Sequence, residues 1–145
     1  MSHLEFLGFD HIDCRVRSLA AVEAFYDRLM PELGLTSKRE MHVDEAGEWF
    51  PASPDHPCNT VEYYEPPRQD RARFFMGIIE KADHQPTHSR IAFRVTPERM
   101  LTLEASLRKI GAAKVERSED MDQYPAIFFE DAAGTKLEIV ARLPR

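Results

Sequence analysis

Cysteine is scarce in this 145-residue chain: Cys14 and Cys58 are the only two, and they form no CxxC. That excludes a disulfide scaffold and zinc-finger spacing, and leaves a reduced, cytoplasmic chain as the expectation. Long apolar runs are lacking. None approaches the ~20 residues that cross a bilayer. The opening Met1-Ser2-His3-Leu4-Glu5 lacks the basic and apolar regions of a signal peptide. Positive charge is not in excess: 19 Lys and Arg face 25 Asp and Glu, for a net charge of −6 with the signs interspersed. No nucleic-acid footprint follows from that balance. There is also no glycine-rich phosphate loop and no nucleophilic triad. What remains is one ordinary domain, 43% hydrophobic and 30% charged, long enough to bury a core.

The chain says one thing twice. His11-Ile12-Asp13-Cys14-Arg15-Val16 is echoed by Arg90-Ile91-Ala92-Phe93-Arg94-Val95. Each stretch leads into an amphipathic run, then a glycine (Gly34, Gly111), then a β-rich tail. The tails end alike, in Met76-Gly77-Ile78-Ile79 and Leu137-Glu138-Ile139-Val140. A repeat of this size implies two copies of one supersecondary unit around a shared space.

Phe9 to Val16 reads as a strand. Ser18 caps a helix carrying Val22, Phe25, Tyr26, Leu29 and Leu33 at helical spacing, and Gly34 ends it. Leu35–Val43, Thr60–Tyr64 and Arg73–Ile79 read as strands. In the second half Arg90–Val95 is a strand, and Thr96-Pro97-Glu98 opens a helix with a cap, a proline and an early acid. Met100, Leu103, Leu107 and Ile110 form its apolar stripe, and Gly111 stops it. Lys114–Arg117, Pro125–Glu130 and Lys136–Ala141 follow as strands, with a hairpin turn at Asp131-Ala132-Ala133-Gly134. Each half is β-α-β-β-β: a first module over about 7–81 and a second over about 88–142. The first is longer by a loop over about 44–59, which holds Trp49, Phe50 and His56. Long loops within compact domains are functional or disordered, and the aromatics suggest a lid.

This order resembles the vicinal oxygen chelate superfamily, which includes glyoxalase I, extradiol dioxygenases, and bleomycin- and fosfomycin-resistance proteins. The resemblance rests on Asp10-His11-Ile12, Ala24-Phe25-Tyr26, Leu33-Gly34-Leu35, Ile91-Ala92-Phe93, Tyr124-Pro125-Ala126, Asp131-Ala132-Ala133-Gly134 and Leu137-Glu138-Ile139. It implies an α+β fold in which two tandem βαβββ modules form a curved eight-stranded cup, with helices outside and a small-molecule site within. It also implies a divalent metal (Zn, Ni, Mn or Fe) held by the first and last strands of each module. His11 and Glu138 match two of those positions. Gly77 has no side chain, and Arg90 repels a cation. Glu80, three residues beyond Gly77, takes the opposite face. His88 shares a face with Arg90 but lies roughly 6.5 Å along the strand. The expectation is a metal absent or weakly bound.

With His11 inward, the same alternation turns Asp13 and Arg15 into the cup; with Arg90 inward, it turns His88, Ala92 and Arg94 there too, beside Glu138. Arg90 then pairs with Glu138 or holds a carboxylate or phosphate through two parallel hydrogen bonds. By resemblance to glyoxalase I relatives, Arg15 helps to hold an anionic end. Asp13 and Glu138 are candidate general bases. Arg15, Arg90, His88, Trp49 and Tyr124 are candidate substrate-binding residues. Plainer readings stand beside these. His11 and Glu138 serve equally as hydrogen-bonded structural residues, Arg15 and Arg94 snorkel at strand ends, His88 marks a strand entrance beside Pro86, and Trp49 is a lid or a dimer contact. Cys14 faces away from the cup as an inert thiol. Two functional classes remain: a lyase or isomerase acting on a small anionic oxygenated metabolite, or a non-catalytic binding protein of the bleomycin-resistance type. Many relatives are homodimers, so a homodimer is expected. Neither nucleic acid nor membrane is an expected partner.

Overall fold

A computed structural model of the chain describes residues 5–144. The opening residues read above for a leader, Glu5 excepted, lie outside them. The elements run β1 (His11–Val16), α1 (Leu19–Glu32), β2 (Ser37–Val43), β3 (Trp49–Pro51), β4 (Thr60–Tyr64), β5 (Phe75–Glu80), β6 (Arg90–Arg94), α2 (Pro97–Ser106), β7 (Ala113–Arg117), β8 (Ala126–Glu130) and β9 (Lys136–Val140). They build a five-stranded sheet in the order β1-β5-β4-β2-β3 and a four-stranded sheet in the order β6-β9-β8-β7. In each, the opening strand lies parallel to the closing one: His11 opposite Phe75, Arg90 opposite Lys136. The repeat read from sequence is therefore a repeat of topology. β3 has no counterpart in the second half. It is a short edge strand paired with β2, Trp49 opposite Val43, inside the segment expected to be all loop.

The helix signals are realised in atoms. Ser18 accepts a hydrogen bond from the Ala21 amide, and the Glu80 carboxylate accepts one from the Leu19 amide at 2.9 Å. Glu80 thus takes the helix side of its strand, as parity required. Thr96 accepts from the Arg99 amide, with Pro97 in the first helical position. At the end of α1 the Leu35 amide donates to Met30 and the Gly34 amide to Pro31, with Gly34 at φ +85°. The same bonds recur after α2, from Ala112 to Leu107 and from Gly111 to Arg108, with Gly111 at φ +109°. That left-handed turn is the reason for glycine at both places.

One face of each sheet packs on the helices. Val16, Val61, Tyr63, Met76 and Ile78 from one sheet, and Ile127, Phe129, Leu137 and Ile139 from the other, share a core with α1 and α2. Helix α1 joins the halves: Phe25 meets Phe129 edge-on, and the buried Tyr26 hydroxyl donates to Asp131 at 2.6 Å. The opposite faces carry the polar strand residues.

Candidate functional site

On the first sheet, the outward residues of β1, β5 and β4 align in rows. His11 stacks on Phe75 with centroids 4.5 Å apart and planes 4° apart, and Phe75 stacks on Tyr64 at 4.6 Å. The Arg73 guanidinium sits 4.6 Å from the Tyr64 ring centre. Asp10 accepts from His11 Nδ1 at 2.7 Å, and this bond, more than any other influence, raises the His11 pKa above its usual value. His11 Nε2 then faces Asp13, with Oδ2 at 3.6 Å. Two strands over, on β4, Glu62 is buried and accepts from the Tyr64 hydroxyl at 3.1 Å. Asp13 is the residue in register with Gly77. Its Oδ1 is buried without a hydrogen-bond partner, and a Cβ at position 77 would lie 2.5 Å from it. The carboxylate of Asp13 therefore occupies the space that a side chain on Gly77 would need. Cys14 lies on the other face, where burial pushes its thiol up to about 11.

The second sheet carries the other half of the candidate set. Glu138 is only 4% exposed and accepts from the Tyr124 hydroxyl at 2.6 Å; that bond raises the Tyr124 pKa. Phe128 and Ala92 flank Glu138 in register. Arg90 does not form the ion pair with Glu138 that parity allowed. Its guanidinium stacks 4.5 Å above the Phe128 ring and, among the described residues, makes no hydrogen bond or ion pair. A stacked guanidinium is held in orientation by the ring while its edge N–H groups stay free.

The structure thus assembles two groups, not one: His11 with Asp13, and Glu138 with Tyr124 beside Arg90. Among the described residues, neither of the two cavities beside these groups is lined by both. A cavity of about 280 Å³ between the halves is lined by Asp13, Arg15, Thr87, Ser89, Thr135 and Lys136, among others, and so involves both repeats as expected. A shallower one of about 430 Å³ holds Arg90, Phe128, Glu130 and Lys136. Arg15 is exposed, as is His88 at the strand entrance. Trp49 is 42% exposed. Its strand lies four places from β1 across the sheet, about 19 Å at the usual strand spacing, so it does not cover His11. Glu62, Tyr64 and Phe75 were not singled out from the sequence. Their parity was readable, but which face was open could be fixed only by the position of α1.

No protein-family model matches the chain, and neither does any curated protein. Solved structures do. A glyoxalase/bleomycin resistance protein from Albidiferax ferrireducens T118 superposes with a TM-score of 0.61 at 20% identity, over 93% of this chain and 98% of that one. A putative glyoxalase from Bacillus halodurans gives 0.59 at 20%, over 92% and 94%. A mutant of the fosfomycin resistance protein FosX from Listeria monocytogenes, complexed with Mn(II) and 1S,2S-dihydroxypropylphosphonic acid, gives 0.55 at 16%, over 95% and 92%. At these identities the likeness is one of architecture. Two mixed sheets, two helices and a repeated strand order place this chain in the glyoxalase/bleomycin resistance fold, the α+β fold expected from its sequence.

Proposed function

We propose that the chain binds a small anionic oxygenated metabolite on the open face of its second sheet, with Arg90 as the anion's principal contact, and acts on it as a lyase or isomerase. The observation that carries this reading is the Arg90 guanidinium: exposed, stacked on Phe128, and uncommitted among the described residues. Two parallel N–H groups match a carboxylate or phosphonate. Lys136 on the neighbouring strand adds positive charge, although Glu130 lies 3.4 Å from its ammonium. Next to this contact, Tyr124 and Glu138 share a hydrogen bond that can carry a proton between phenol and carboxylate as a bound substrate changes charge. On the other sheet Asp13 lies beside His11, a carboxylate–imidazole pair with 3.6 Å between Oδ2 and Nε2. A second copy of the chain that laid one open face against the other would enclose both groups, and we propose a homodimer on that basis.

The divalent metal implied by the resemblance requires four donors. The residues do not fit that set, because Gly77 supplies no side chain and Arg90 supplies a cation. Among the described residues no group of three or more His, Cys, Asp or Glu is arranged to hold a metal ion. No step of the proposal runs through a four-ligand metal. A second reading, binding without chemistry, is favoured by the separation of His11–Asp13 from Glu138–Tyr124 on different sheets.

Two measurements test the proposal. Calorimetric titration with methylphosphonate, lactate and inorganic phosphate should show binding, weakened about 10- to 100-fold in Arg90→Ala, the value of a charge-assisted hydrogen-bonded contact. Deuterium exchange at carbons next to the carbonyl of small 2-oxo acids, followed by NMR, separates catalysis from sequestration. Exchange lost in Glu138→Gln supports the enzyme. Binding without exchange supports the second reading. No binding of any anion rejects both.

A further inference from the structure

We propose that Arg94 and Arg142 form a second anion subsite at the far end of the second sheet's open face, so that the ligand is a small molecule with an acidic group at each end. The subsite extends the reading of Arg90 as first contact, and rests on it. Strand parity sets the layout. Ile91 and Phe93 of β6, and Leu137 and Ile139 of β9, pack against the core. Arg90, Ala92 and Arg94 therefore take the other side of β6, with Lys136, Glu138 and Val140 beside them on β9. Arg90 lies opposite Lys136, Ala92 opposite Glu138, and Arg94 opposite Val140. Glu138 is thus midway along the face, with an arginine toward either end. The Cα atoms of Arg90 and Arg94 are about 13 Å apart at the usual strand rise.

Beside Arg94 the face opens into a cavity of about 820 Å³, lined by Arg94, Arg142, Pro97, Met121, Asp122 and Gln123, among others. Both arginines are exposed and, among the described residues, neither makes a hydrogen bond or ion pair. Asp122 is the one acid in that lining. Two cations on one concave wall repel each other, and an anion between them relieves that repulsion. The Arg142 guanidinium lies 5.8 Å from the centre of the Tyr124 ring, within reach of its negative face. Arg90 is held on Phe128, which lies opposite Glu138. Each guanidinium thus leans from its own end toward the Tyr124–Glu138 pair, and the span between them is shorter than the Cα separation. The Tyr124 phenol senses both. The Glu138 hydrogen bond raises its pKa most, while Arg142 and Arg90 each act to lower it. A ligand held at both ends presents its middle carbons to that hydrogen-bonded pair. A ligand with one acidic end leaves Arg94 and Arg142 without a counter-charge.

Calorimetric titration of the full-length protein with butyrate, and with dicarboxylates from malonate to pimelate at one ionic strength, tests the subsite. The best dicarboxylate should bind at least about tenfold tighter than butyrate, the value of one added charge-assisted contact. Arg142→Ala should cut that advantage to about threefold or less while butyrate binds as before, and Arg94→Ala should act in the same direction. Arg90→Ala should weaken both kinds of ligand. A wild type that binds butyrate and every dicarboxylate alike overturns the proposal. So does a dicarboxylate advantage that survives in the Arg94→Ala, Arg142→Ala double variant, or the binding of no carboxylate at all. Butyrate bound equally by the wild type and Arg90→Ala, with the dicarboxylate advantage lost in Arg142→Ala, rejects Arg90 as first contact and keeps the Arg94–Arg142 subsite.

Discussion

Replacing Tyr26 with phenylalanine removes one oxygen from the contact that ties helix α1 to the second half. The Tyr26 hydroxyl, fully buried, donates at 2.6 Å to Asp131 Oδ2, and Asp131 is itself 1% exposed. Its other oxygen accepts from the Ala133 and Thr135 amides, each at 2.9 Å. The turn can hold the carboxylate without Tyr26, but one lone-pair direction of a buried charge is then left without a donor. A hydrogen bond to a buried charged group is worth about 1.5–3 kcal/mol. At about 3 °C per kcal/mol for a chain of this size, Tyr26→Phe should lower Tm by about 5–9 °C. The pH dependence supplies a second signature. Burial, then the Asp131 charge and hydrogen bond, hold the Tyr26 pKa well above its usual value. The folded state therefore favours the protonated phenol. That contribution is fully present below the unfolded pKa of about 10 and is lost as pH rises beyond it. Phenylalanine cannot ionise, so the stability gap between wild type and variant should narrow above pH 10. Thermal unfolding at pH 7, 9 and 10.5 reads both effects. A Tm within about 1 °C of wild type, or a gap unchanged at alkaline pH, refutes the reasoning.

Gly34→Ala should destabilise the chain by about 1 kcal/mol through backbone strain alone, because φ is +85° there and no atom lies within 4 Å of the added Cβ; thermal melts check this. Iodoacetamide at pH 8 should label the exposed Cys58 well before Cys14, whose thiol burial pushes up to about 11; mass spectrometry of the tryptic peptides gives the order. In Asp10→Asn the His11 pKa should fall back toward 6.5, since the Asp10 hydrogen bond is the largest cause of its rise. The sign follows: the pair's contribution is full below pH 6.5 and fades as pH climbs through the raised value, which an NMR titration of the His11 ring protons follows.

The two-fold character of the molecule was legible because it is written in local signals. Ser18 and Thr96 cap the helices, Gly34 and Gly111 end them with the same left-handed turn, and His11–Val16 and Arg90–Arg94 open the sheets. Strand parity also told correctly that Glu80 leaves the polar face. Side-chain partners were less accessible. Arg90 could reach Glu138 or Phe128 from the same backbone, and the choice of Phe128 follows from Tyr124, a loop residue, having already taken Glu138. Trp49 read as a lid because chain order says nothing about sheet order: β3 joins the edge farthest from β1.

The central claim is that a guanidinium, at a position where the fold resemblance places a metal ligand, receives an anion. Calorimetric titration of the chelator-treated protein with methylphosphonate, for wild type and Arg90→Ala in parallel, tests it most directly. The account predicts one site per chain in the wild type and at least about tenfold weaker binding in the variant, the loss expected for a charge-assisted contact. Equal affinity in the two proteins, or binding in the wild type only when a divalent metal is added, contradicts it.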